Sequence, residues 1–170
     1  MKQTIALCGF KHVGKSTLGQ ALAKRLNVGL IDLDELITQA QGGSTRAVYQ
    51  TLGEKAFRLK EYQLLQAVNF DQRQILCLGG GTLSYSPCLT YLREKSYLIQ
   101  LTAPFEVVKQ RVLAGFCSFI DPQKQEESFN QFYETRHQVF HDLAIPKFDT
   151  IYQQQELFEF VLSYFKQGDV

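Results

Sequence analysis

Gly9-Phe10-Lys11-His12-Val13-Gly14-Lys15-Ser16 decides the fold of this 170-residue chain. The stretch fits G-x-x-x-x-G-K-[ST], a loop whose backbone N–H groups cradle phosphates. Before it, Thr4-Ile5-Ala6-Leu7-Cys8 reads as a short buried strand; after it, Leu18, Leu22 and Leu26 recur at helical spacing. Gly9 and Gly14 permit backbone angles that a Cβ penalises, so successive N–H groups can turn inward. A helix opening near Lys15 adds its positive end at the same point. Lys15 can then reach the β- and γ-phosphates, and the Ser16 hydroxyl can ligate Mg²⁺. A plain glycine turn between strand and helix is the alternative, and the flanking pattern argues against it.

Outward from the loop, the segments alternate. Gly29-Leu30-Ile31-Asp32 predicts a second strand ending in a carboxylate, and Asp34 follows two residues on, where it can serve chemistry or cap the next helix. Gly42-Gly43-Ser44 predicts a break with Ser44 as N-cap of a short helix, Gly53 a second break, and Glu54 to Asn69 a longer helix. On it, Arg58 and Glu61 stand three apart, a spacing that equally suits a solvated surface pair. Gln74 to Leu78 predicts a strand running into Gly79-Gly80-Gly81. Three glycines at the end of a core strand suit close approach of backbone to a ligand better than a flexible connector.

Further helices are expected from Pro87 through Leu92, from Pro104 to about Leu113 and from about Lys124 to His141. Strands are expected at Tyr97–Leu101 and Lys147–Tyr152, with a final helix from Leu157 to Phe165. Residues 114–123 break every pattern and are expected to form a lid. Five strands alternating with helices predict an α/β protein with a parallel sheet covered on both faces.

Bulk properties exclude several classes. Apolar residues make up 45% and net charge is +1, so nothing marks a nucleic-acid or anionic-membrane surface. No apolar run reaches membrane-spanning length, and the first strand begins at once, which is read as no targeting segment. Cys8, Cys77, Cys88 and Cys117 lie far apart with no C-x-x-C pair, as expected for reduced thiols in a cytoplasmic protein.

The segments GFKHVGKST (9–17), IDLDELI (31–37), GEKAFRLKE (53–61), LGGG (78–81) and YETRHQVF (133–140), in this order and spacing, resemble the shikimate kinases, small P-loop kinases of the nucleoside monophosphate kinase type. The resemblance implies a P-loop NTPase fold in one domain over 1–170, with a five-stranded parallel sheet in 2-3-1-4-5 order. It also implies a substrate-binding helical region over about 34–62, a short lid, and a monomer. ATP is the implied co-substrate, Mg²⁺ the cofactor and shikimate the acceptor, within aromatic amino-acid biosynthesis.

Residue by residue, the resemblance gives His12, Val13, Gly14, Lys15, Ser16, Thr17 and Arg111 to ATP. Ser16 and Asp32, the latter through water, go to the metal. Asp34 falls on the acceptor hydroxyls as the candidate base, with Lys15 the other catalytic group. Arg58 and Arg136 fall on the acceptor carboxylate, and Gly79, Gly80 and Gly81 on backbone contacts to it. Two planar guanidinium groups suit a carboxylate and would suit an apolar or cationic acceptor badly.

The lid departs from the family, which usually carries R-P-L where Ser118-Phe119-Ile120 stand here. Phe119 and Ile120 are expected to cover the acceptor, and Lys11 to replace the lid cation in part, while Arg111 packs near the adenine. The alternatives are a related small-molecule kinase of gluconate or nucleoside monophosphate type, and a nucleotide-binding homologue with weakened catalysis.

Overall fold

The structure, a computed structural model, describes residues 1–115 and 123–168. Its order is β1 (Thr4–Cys8), α1 (Lys15–Leu26), β2 (Gly29–Asp32), α2 (Leu33–Gln41), α3 (Thr45–Gln66), β3 (Gln74–Cys77), a 3₁₀ turn (Thr82–Ser84), α4 (Ser86–Lys95), β4 (Ser96–Thr102), α5 (Phe105–Ala114), α6 (Gln125–His141), β5 (Lys147–Asp149) and α7 (Gln154–Gln167). The strands form one sheet in the order β2-β3-β1-β4-β5, and every neighbouring pair is parallel. This is the sheet expected from the sequence.

β1 lies at the centre and all five of its residues are buried, because a parallel strand covered on both faces has no polar side to show. Successive residues serve opposite cores. Ile5 and Leu7 join Ile75, Ile99 and Leu101 in a cluster with Leu22 of α1, Val108 and Val112 of α5, Phe129 of α6, and Leu157 and Val161 of α7. Ala6 and Cys8 join Leu76, Leu78 and Leu98 in a second cluster with Leu33 and Ile37 of α2, Phe57 and Leu65 of α3, and Leu92 of α4. Cys8, Cys77 and Cys88 are free and buried, and burial pushes each thiol up to about 12.

Of the boundaries that differ from the sequence reading, three have a visible cause. Ser44 caps α3 as expected, accepting from the Ala47 N–H at 3.2 Å, but the helix resumes directly after Gly53, whose φ of 73° and ψ of 168° interrupt it. α3 then stops at Gln66 rather than Asn69, because the Asn69 side chain accepts from the Asp71 N–H at 3.0 Å and starts a turn. β5 stops at Asp149, short of Tyr152, because Asp149 Oδ1 accepts from the N–H groups of Ile151 (2.8 Å) and Tyr152 (3.2 Å) and folds the chain over. Of the expected lid, only Ala114, Gly115 and Gln123 are described; Phe119 and Ile120 lie outside the described residues. Among the described residues, no helix is long and apolar enough to cross a membrane.

Candidate active site

The carboxyl ends of β1 and β3 open into a cleft of about 990 Å³. The phosphate loop forms its floor. Gly9 (φ 141°) and Gly14 (φ 105°) take the left-handed angles the turn requires, and a Cβ on Gly9 would also meet the Leu101 carbonyl oxygen at 2.2 Å. α1 carries no acidic residue in its first turn, so its positive end faces the cleft.

Lys15 is 9% exposed, and its Nζ donates to the carbonyls of Gly9 (3.1 Å) and Phe10 (2.9 Å). Burial lowers its pKa against the opposing pull of Asp34. Arg111 Nη1 donates to the His12 carbonyl at 3.2 Å, tying the end of α5 to the loop. His12 itself is held below the usual imidazole range, first by desolvation and then by Lys11, Lys15 and Arg111.

Asp32 ends β2 and divides its two oxygens. Oδ1 accepts from the Asp34 N–H at 2.9 Å, capping α2, and Oδ2 accepts from the Ser16 hydroxyl at 2.6 Å. The cap considered for Asp34 therefore belongs to Asp32, which leaves the Asp34 side chain free to line the cleft. Solvent in the open cleft still reaches that carboxylate. Even so, desolvation by the surrounding protein and then the nearby Asp32 raise its pKa, opposed by Lys15, Lys11 and Arg58.

The Ser16–Asp32 pair offers two hard oxygen donors beside the loop. Among the described residues, no group of three or more His, Cys, Asp or Glu side chains converges on a metal position. A cation that accepts one carboxylate and one hydroxyl and completes its shell with water and phosphate fits this pair; Mg²⁺ is such a cation.

On the opposite wall stand two arginines. Arg58 is 8% exposed, not solvated, and its Nη1 donates to Glu61 Oε2 at 2.6 Å. Glu61 is fully buried, and its other oxygen accepts from the Thr82 hydroxyl at 2.7 Å. Glu61 thus grips Arg58 from behind, while the buried Arg58 Nε has no partner among the described residues. Arg136 reaches the same wall from α6, donating from Nη1 to the Ser84 hydroxyl (2.6 Å) and from Nη2 to Glu54 (3.0 Å). Within the phosphate loop, Phe10 packs its ring 5.2 Å from Phe132 and 5.0 Å from Tyr133, fastening α6 over the loop.

The three glycines between the loop and the arginines are each hemmed in by a different neighbour. A Cβ on Gly79 would stand 2.9 Å from both Glu61 Oε1 and Thr82 Oγ1. On Gly80 it would stand 3.0 Å from the Lys11 nitrogen, and on Gly81 2.2 Å from Arg58 Nη2 and 3.1 Å from Arg136 Nη1. The run is thus a wall that lets two functional surfaces close on one another.

His12, Val13, Gly14, Lys15, Ser16, Thr17, Asp34, Arg58, Gly79, Gly80, Gly81, Arg111 and Arg136 all line the one cleft. Asp32 lies just behind it, bonded to Ser16. Sequence reasoning did not assign Glu54, Thr82 or Ser84. Only Glu54 left a signal, its i, i+4 spacing to Arg58.

The shikimate kinase family model matches residues 11–166, nearly the whole chain. The chain belongs to the shikimate kinase family. It is 26% identical over 164 residues to the shikimate kinase of Staphylococcus haemolyticus, covering 96% of this chain and 95% of that one. It is 32% identical over 114 residues to the shikimate kinase of Clostridium botulinum, covering 66% of this chain and 67% of the relative. The structure of the Acinetobacter baumannii shikimate kinase in complex with shikimate superposes with a TM-score of 0.82 at 22% identity, covering 99% of this chain and 95% of that one. At that identity the likeness speaks for a shared fold.

Proposed function

We propose that this chain transfers the γ-phosphoryl group of ATP to the 3-hydroxyl of shikimate, giving shikimate 3-phosphate and ADP. The observation carrying this reading is the convergence of Arg58 and Arg136 on one wall of the cleft whose floor is the phosphate loop. Arg58 is braced by Glu61, and its Nε is left without a partner among the described residues. A small hydroxy acid held by its carboxylate there presents its hydroxyls towards Asp34 and the loop.

The chain's own residues divide the work. The loop N–H groups and the positive end of α1 hold the phosphates, and Lys15 moves from its two carbonyl acceptors onto the β- and γ-phosphate oxygens. His12, Val13, Gly14 and Thr17 complete the cradle, and Arg111 packs beside the adenine. Asp34 orients the acceptor hydroxyl and receives its proton. As that oxygen bonds to Pγ, the Pγ–O bond to the β-phosphate breaks and its electron pair leaves with ADP. Ser16 would hold Mg²⁺ directly and Asp32 through water; when bound, the cation neutralises charge on the phosphates. Gly79, Gly80 and Gly81 give backbone contacts to the acceptor.

Lys11 lines the cleft beside Lys15, and we assign it part of the role of the lid arginine the chain lacks. Lys11→Ala should lower kcat; an unchanged kcat removes that role. The same reading has one domain over 1–170, an acceptor-binding region over about 34–62, a lid over 114–123 bearing Phe119 and Ile120, a monomer, and a cytoplasmic location.

The decisive assay follows ADP release with ATP and Mg²⁺, with and without shikimate. Shikimate-dependent release is expected. Release with gluconate or a nucleoside monophosphate alone, or nucleotide binding without turnover, overturns the reading.

A further inference from the structure

Two glutamates approach Arg58, and they differ in kind. Glu61 is fully buried behind the guanidinium and shares a second hydrogen bond with Thr82. Glu54 stands on the solvent-exposed side of the pair. Its side chain is 54% exposed, and one oxygen, Oε1, lies 3.0 Å from Arg136 Nη2 and 3.9 Å from Arg58 Nη2. Among the described residues, no other donor holds that carboxylate. It follows Gly53, the one interrupted position in α3, so it opens the second helical stretch.

A carboxylate oxygen between two guanidinium groups is the arrangement that an acidic ligand would make there. We propose that Glu54 is an internal competitor for the arginine pair: it bridges Arg58 and Arg136 and is displaced by the carboxylate of the acceptor. The inference rests on the reading of those arginines as a carboxylate clamp. Without a bridging anion, the two cations repel across the cleft, and Glu54 offsets that repulsion. An incoming acid must therefore supply a better-placed carboxylate than the one it replaces. A neutral polyol supplies none and leaves the bridge closed. Glu54 thereby acts as a selectivity residue, screening acceptors for an acid group before any phosphoryl transfer.

Replacing the competitor by its neutral isostere should tighten acid binding, because two cations then meet the ligand unbridged. Half-exposed pairs of this kind are weak, so the expected gain is about three-fold in Kd. The experiment is calorimetric titration of shikimate into nucleotide-free wild type, Glu54→Gln, Arg136→Ala and the double variant, with matched melting temperatures to confirm folding. Glu54→Gln should bind shikimate more tightly than wild type, Arg136→Ala more weakly, and the gain from Glu54→Gln should shrink when Arg136 is absent. If Glu54→Gln binds equally or more weakly while Arg136→Ala still weakens binding, Glu54 is a positioning group for Arg136 and the competitor is overturned with the clamp intact. If Arg136→Ala leaves shikimate binding unchanged, the clamp reading itself falls.

Discussion

The ring of Phe10, second residue of the phosphate loop, lies 5.0 Å from that of Tyr133, three residues before Arg136 on the same helix. Phe10 also contacts Phe132, whose ring lies under the Arg136 guanidinium at 5.8 Å. A buried residue of the phosphate loop, 7% exposed, therefore supports the helix bearing Arg136. Phe10→Ala should cost about 3 kcal/mol of stability in urea unfolding, as for other buried aromatic truncations. It should also raise the shikimate KM, and an unchanged KM would separate the aromatic cluster from acceptor binding.

Arg58→Ala and Arg136→Ala each remove charge-assisted donors from one wall only. We expect the shikimate KM to rise roughly ten-fold or more in each, from about 1.5–3 kcal/mol per bond to a charged group. The ATP KM should stay within about two-fold. Steady-state kinetics with each substrate varied in turn provides the check, and equal effects on both substrates undo the carboxylate assignment.

Gly81→Ala tests the glycine wall. Its Cβ would meet Arg58 Nη2 at 2.2 Å, and Arg58 cannot retreat without leaving Glu61. Acceptor affinity should fall by about ten-fold or more, since misplacing a positioning group by an ångström carries that order of penalty. Gly43→Ala is the matched control: nothing lies within 4 Å of its Cβ, and its φ is not in the left-handed range. There the loss of unfolded-chain freedom should stabilise the fold by about 0.4–1 kcal/mol with kinetics unchanged.

Glu61→Ala would leave Arg58 buried without its partner, so we expect a stability loss of about 3 kcal/mol or more. The pH dependence has a definite sign. Burial raises the Glu61 pKa above its ordinary 4.5, outweighing Arg58, so the folded chain binds this proton more readily than the unfolded one. Its contribution is complete below 4.5 and is lost as pH rises through the raised value. Glu61→Gln, which cannot titrate, should lack that slope when unfolding free energy is measured between mildly acidic and neutral pH.

The sheet was legible because strands covered on both faces read as unbroken apolar runs, as in Ile5-Ala6-Leu7-Cys8. Lys15 and Ser16 were legible because one continuous loop fixes their spacing. Which of Asp32 and Asp34 caps α2 was not, since either carboxylate can cap a helix and only the bond from the Asp34 N–H distinguishes them. Arg58 and Glu61 read equally well as a surface pair, because an i, i+3 spacing says nothing about what covers it. Ser84 and Glu54 join the wall through Arg136, more than fifty residues further along the chain. No local pattern encodes such a meeting.

The posture of Lys15 has a consequence for what the loop selects. With its ammonium resting on the carbonyls of Gly9 and Phe10, Lys15 braces the loop through the loop's own backbone. Little of a nucleotide's binding free energy then goes into organising the loop. An arriving ligand instead has to draw the lysine away from two neutral oxygens, which only concentrated negative charge does well. If the proposed reading holds, the base and sugar add affinity but the loop discriminates first by anionic charge: a polyphosphate tail would move Lys15, and a bare nucleoside would leave it at rest.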